Sequence, residues 1–211
     1  MERLNGFYEK FPGSYVAYIA FIFAVIFMSI SVILYNDPTF SLFTHYISDL
    51  GASTKGSSLL WNISMIISAP LRVVFGFYLL TFLKTKGSNE KSIKITAYTI
   101  VIAAVGSVII ALNPHDVSRM FHMIGAFIYF FGVVIIQVKI SKMELNAEGI
   151  PKYLPLIGLV VVVNYALFIS FEISEIISDL FRLLACFFEW MALFSILGWL
   201  LIHGLYLHRI K

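Results

Sequence analysis

The stretch His45-Tyr46-Ile47-Ser48-Asp49-Leu50-Gly51 lies between two long apolar runs and carries an imidazole, a hydroxyl and a carboxylate. In a helix, His45 and Asp49 stand one turn apart on one face with Ser48 beside them. Gly51 then falls at the left-handed position past the helix end. The apolar runs on either side decide the fold.

Of the 211 residues, 60% are hydrophobic and 13% charged, against about 25% charged in soluble domains. A soluble protein of this size has no interior large enough for that much apolar surface, so its solvent is lipid. The lone cysteine, Cys186, excludes an intrachain disulfide. The sequence has neither a basic block interleaved with aromatics nor a Gly-rich phosphate loop, which argues against nucleic acid and nucleotide as partners. The first apolar run is too long for a signal-peptide core and is read as a span.

Six spans follow in order: 14–34, 59–83, 95–112, 114–140, 154–170 and 180–205. Asn36-Asp37-Pro38 ends the first, and Asp37 as cap with Pro38 as first helical residue predicts a short amphipathic helix over 38–50. The second contains Pro70, where a kink is expected. Asn113-Pro114 repeats the cap-and-proline start at the fourth. The expected fold is an all-α integral membrane protein, one six-helix domain over residues 1–211, with a short amphipathic outer helix between spans 1 and 2.

With the N-terminus in the cytoplasm, that side carries Arg3, Lys10, Lys84, Lys86, Lys91, Lys94, Lys139, Lys142, Lys152, Arg209 and Lys211. The other side carries Lys55, Arg119 and Arg182. The bias places both termini in the cytoplasm and the His45–Gly51 stretch outside.

In a fourth helix starting at Pro114, His115, Arg119 and His122 form one stripe at i, i+4 and i+7. Three histidines, His45, His115 and His122, then gather at the outer end with Asp49 and Asp116. Glu189 lies about two turns below the outer end of the sixth span, with Arg182 above it on the same face. Arg72 and Glu189 are the charges inside apolar runs; such groups face the bundle interior, as an ion pair or otherwise satisfied. His203 and His208, about 140° apart around a helix, make a poor metal pair and are read as facing the membrane interface.

Two readings of the outer cluster stand. Histidines and aspartates cap helix ends and solvate loops. Alternatively His45, Ser48, Asp49, His115 and His122 form a catalytic or ligand site, with Asp116, Arg119, Arg182 and Glu189 as further lipid- or ligand-binding candidates. Imidazoles with carboxylate support suit zinc, which makes His45, His115 and His122 candidate ligands.

The pattern His45-Tyr-Ile-Ser-Asp-Leu-Gly51 after a first span, with His122-Met-Ile-Gly-Ala126 opening a later one, resembles the prokaryotic six-span membrane family numbered 998 among the domains of unknown function. It is also similar to the related superfamily of damage-regulated autophagy modulators and membrane proteins that remodel GPI anchors. That second group usually has threonine where this chain has Leu50, and a Pro-Glu pair soon after. Ser53-Thr54-Lys55-Gly56 stands there instead, which favours the prokaryotic group. The resemblance implies a six-helix bundle in the plasma membrane of a prokaryote, with a polar outer site. It does not fix an activity: the outer site suits either binding of lipid headgroups or membrane partners, or lipid modification by an intramembrane hydrolase or acyl transferase with a His/Asp site. A transporter is disfavoured because the spans lack paired broken helices and an inverted repeat.

The charge bias makes a direct prediction. In intact cells, a cysteine at position 55 reacts with an impermeant thiol reagent and one at position 91 does not; the opposite pattern reverses the orientation.

Overall fold

The computed structural model describes residues 6, 8 and 11–210; the sequence readings at Arg3, Lys10 and Lys211 lie outside them. Among the described residues, six helices are long and apolar enough to cross a membrane: α1 (Gly13–Tyr35), α2 (Ser58–Thr85), α3 (Glu90–Leu112), α4 (Arg119–Leu145), α5 (Tyr153–Ser174) and α6 (Asp179–Arg209). Each packs on its neighbour in sequence, and α1 closes on α6, so the six form a ring. The chain is an all-α membrane bundle.

Local chemistry sets the helix ends. Asn36, at φ 50°, ends α1 in the left-handed region, which asparagine tolerates better than most side chains. The Asn89 side chain accepts Lys91 N–H at 2.9 Å and Ser92 N–H at 3.4 Å to start α3. Ser178 accepts Leu180 N–H at 3.2 Å to start α6. α2 continues through Pro70.

Two starts differ from the sequence reading. The outer helix is present only as a 3-10 turn, Ile47–Gly51, and not from Pro38. Asp37 closes on Thr39, accepting its N–H at 2.9 Å and its hydroxyl at 2.6 Å. Ser41 Oγ accepts Phe43 N–H at 3.1 Å. Short polar side chains thus offer the backbone an alternative to helix throughout this segment. α4 likewise begins at Arg119 and not at Pro114, because Asn113 turns back and donates to Ile109 O at 2.9 Å. Asn113 finishes α3 and does not start α4, and 114–118 is a turn.

Outward-facing side chains are apolar, with Ile33 75%, Leu59 73% and Phe127 62% exposed, as lipid contact requires. Between helices the residues are small. A Cβ on Gly106 would lie 2.7 Å from Tyr129 N and 2.9 Å from Gly125 O, and one on Gly132 would lie 2.8 Å from Ala103 Cβ. The α3 and α4 backbones therefore approach as closely as glycine permits, which favours van der Waals packing where no hydrophobic drive joins helices. A second, smaller apolar cluster of Tyr35, Ile47, Leu50, Trp61 and Trp190 holds the outer turn against the ring.

Gly106→Ala forces the α3–α4 backbones apart and should cost about 1–3 kcal/mol, the usual range for overpacking. Gly198→Ala, with nothing within 4 Å of its Cβ, is the control. Thermal unfolding of both variants in one detergent checks the difference; equal midpoints would contradict the close approach.

Candidate functional site

The outer turn is laced to two helices. Ile47 N–H donates to Glu189 Oε2 at 2.6 Å, and Trp190 Nε1 donates to His45 O at 3.0 Å, both from α6. Ser57, just before α2, donates its Oγ to Leu50 O at 2.7 Å, and from α2 Ser58 Oγ and Asn62 Nδ2 each donate to Gly51 O at 3.0 Å. Asp49 Oδ2 accepts Tyr46 N–H at 2.9 Å and closes the turn on itself. Glu189 is ten residues into α6, about 15 Å along the axis, so the turn dips well below the start of that helix. Gly51 is not left-handed, contrary to the helix-end reading. Its need is space: a Cβ would lie 2.6 Å from Asn62 Oδ1 and 2.9 Å from Trp61 Cδ1.

The three outer histidines divide. Asp49 Oδ1 lies 3.7 Å from His115 Nε2. The His115 and His122 rings meet edge to face at 5.8 Å, and His122 Nδ1 is 3.0 Å from Asn113 O. A carbonyl only accepts, so Nδ1 carries the proton and Nε2 is left as an acceptor. His45 goes elsewhere: its Nδ1 is 2.9 Å from Thr44 Oγ1 and its Nε2 3.9 Å from Asp37 Oδ2, with the ring against Tyr35 and Phe40. The expected face shared by His45 and Asp49 does not form, because no helix runs through them. Nor are His45, His115 and His122 gathered as zinc ligands: among the described residues no three His, Cys, Asp or Glu side chains could hold a metal ion.

Other loop contacts fix this end of the ring. Asp116 Oδ1 accepts Ser53 N–H at 3.0 Å and its Oδ2 accepts the Ser53 hydroxyl at 2.6 Å. Burial works to raise the Asp116 carboxyl, but the Ser53 bonds outweigh it and the group sits below its ordinary range. Asp37 is held well below the carboxylate range, by Thr39 first and then by Lys55 Nζ at 3.1 Å. Burial, and then the charge of Glu172, push the Tyr46 phenol up; it donates to Glu175 Oε2 at 2.8 Å. Arg119 and Arg182 are exposed.

Inside the ring is a cavity of about 200 Å³, lined mainly by apolar side chains and by Ser48, Arg72, His122, Tyr129, Tyr165 and Glu189. Arg72 and Glu189 both reach it but do not form an ion pair. Arg72 donates to Tyr129 OH at 3.0 Å and to Ser107 Oγ at 2.8 Å, and lies 5.2 Å from the Tyr129 ring centre. Of the two readings left open, the second holds: the guanidinium is satisfied by two hydroxyls and an aromatic face rather than by a carboxylate, while Glu189 serves the outer turn.

The sequence reading missed a buried pair. His203, placed at the membrane interface from its position, is fully buried and sits 2.8 Å from Glu144 Oε1 and 2.8 Å from Trp199 O. The available signal was on α4, where Gln137, Ser141 and Glu144 fall at i, i+4 and i+7 on one face, with Lys139 and Lys142 off it.

A family described as a protein of unknown function, DUF998, matches residues 14–206. Neither a curated protein nor a solved structure matches the chain.

Replacing Glu189 with leucine leaves the buried Ile47 N–H without its acceptor, at a cost of about 1–3 kcal/mol. Hydrogen exchange should then show the Ile47 amide opening while α3 and α4 stay protected. Glu189→Gln keeps an acceptor and, since Arg72 is not its partner, should lose less. An unchanged Ile47 amide in the leucine variant would remove the role given to this bond.

Proposed function

This chain belongs to the DUF998 family of proteins of unknown function, and we propose that it is a multi-pass membrane protein that holds a phospholipid, head and part of a tail, in the central cavity. The observation that carries the reading is the cavity's lining. Apolar walls with a few convergent polar groups are the general form of a small-molecule site. On α4 the lining runs from His122 to Ile140, eighteen residues or about 27 Å of helix, which suits an extended amphiphile better than a compact solute. Arg72 spends its guanidinium on two hydroxyls and has N–H groups left, from a complement of five, for phosphate oxygens. His122 and Ser48 stand at the outer end of the same space. Glu189, unpaired with Arg72, suits the ammonium of a zwitterionic head.

The head end of the cavity faces away from the cytoplasm in this reading. Lys84, Lys86, Lys91, Lys94, Lys139, Lys142, Lys152 and Arg209 belong to the opposite end of the bundle, and Lys55, Arg119 and Arg182 to the outer one. The membrane is then the plasma membrane of a prokaryote.

A lipid-modifying enzyme is the second reading. It draws on the Asp49–His115 approach of 3.7 Å and the contact of His115 with His122 beside the cavity, an arrangement of orienting carboxylate and base. Incubation of the purified protein with labelled phospholipid separates the two, since a new lipid product lost in His122→Ala belongs to the enzyme alone.

Ala126 lines the cavity, and Ala126→Phe fills it. Lipid retained per protein, read by native mass spectrometry after detergent extraction, should fall at least about tenfold, the equivalent of about 1.4 kcal/mol. Arg72→Ala should lower retention of phospholipid but not of neutral glycerides. Equal retention by wild type and Ala126→Phe would overturn the cavity as the lipid site.

A further inference from the structure

Beyond the lipid cavity, the half of the bundle nearer the two termini contains polar atoms that nothing in the fold satisfies. Gln137, Ser141 and Glu144 share one face of α4 and are 1%, 1% and 2% exposed. Gln137 Oε1, Ser141 Oγ, Glu144 Oε2 and, across on α6, Trp199 Nε1 are buried without a hydrogen-bond partner. Gly158 of α5 packs directly on Ser141 and Gln137: a Cβ there would collide with Ser141 Oγ and lie 3.3 Å from Gln137 Oε1. Gln137 and Trp199 also line the central cavity. The stripe therefore starts in the cavity and ends at Glu144, seven residues or about 10 Å further along α4. There Glu144 Oε1 meets His203 Nε2 at 2.8 Å.

We propose that this stripe is a hydrated proton-binding site, in which water reaching in from the central cavity connects it to a proton held jointly by Glu144 and His203. Three acceptors and one donor left over in a buried seam are the partners internal water requires, two to four for each molecule. With one proton between them the pair is net neutral, as carboxylate and imidazolium or as carboxylic acid and imidazole, and a neutral pair is tolerated inside a membrane. Releasing that proton to seam water gives hydronium and leaves a net negative charge on Glu144, which the same water solvates; uptake is the reverse.

The phenol of Tyr206 on α6 interacts with Glu144 and with the phenol of Tyr153 on α5. His208 lies against Tyr15 and Tyr18 of α1. Lys86, Lys139 and Lys142 border a separate depression at the end of α2 and α4.

The test uses the full chain in lipid nanodiscs with nitrogen-15 histidine, the His203 signals being assigned by their loss in His203→Gln. On transfer to heavy water, the His203 ring N–H in the wild type should exchange within minutes while the backbone amides of α4 and α6 remain protected. Gln137→Leu, which removes the polar entrance at constant bulk, should slow that exchange at least about tenfold, and Ser141→Ala should slow it if Gln137→Leu does not fold. A ring proton that survives for hours in the wild type would overturn the proposal and leave a dry structural pair. Fast exchange unaltered by either substitution would overturn it as well, since the water would not be coming from the cavity.

Discussion

A buried carboxylate holding a backbone N–H from a non-helical segment is the contact on which the outer half of the molecule depends. In hydrocarbon only helices and closed barrels satisfy their own backbone, so an irregular stretch survives at depth only where protein groups complete it. Glu189 completes Ile47, Trp190 completes His45, and Ser57, Ser58 and Asn62 complete Leu50 and Gly51. With the turn fixed from α6 on one side and α2 on the other, Ser48 is brought to the cavity and Asp49 to His115. The residues of the candidate site are thus placed by others whose work is structural.

The same economy governs the interior. Small side chains, among them Ala20, Ala24, Ala104 and Ala126, border the cavity and keep it open, while glycines on α3 and α4 draw those helices together beside it. Arg72, Tyr129, Tyr165 and Ser107 form a connected polar group across α2, α3, α4 and α5. Shared among hydroxyls, the guanidinium needs no carboxylate nearby, and Glu189 is free to act 2.6 Å from a different partner.

The spans were legible because their length and apolarity are properties of each segment taken alone, and Asn36 and Asn89 mark ends by local chemistry. The helix starts at Pro38 and Pro114 were misread for a reason that is also local: Asp37 and Asn113 hydrogen-bond in ways a cap-and-proline pattern does not distinguish, one closing a turn on Thr39 and the other finishing the preceding helix. The His115–His122 approach was anticipated, although from a helical stripe that does not exist. The partners of His45, Arg72 and His203 were not legible. His203 and Glu144 are 59 residues apart, and no spacing rule links residues on helices whose adjacency is decided by ring closure.

Ring closure also sets an order of assembly. α1 meets α6, and the amino-terminal part of a chain is made first. While the last span is still being synthesised, the faces of α1 and α5 that α6 will cover have no protein beside them. The arrival of α6 shuts the ring. It also delivers Glu189 and Trp190 to the waiting outer turn and His203 to Glu144. A single late event thus seals the wall, seats the irregular segment and pairs the buried acid with its base, so a ribosome stalled before α6 leaves an open trough in place of a nearly finished protein.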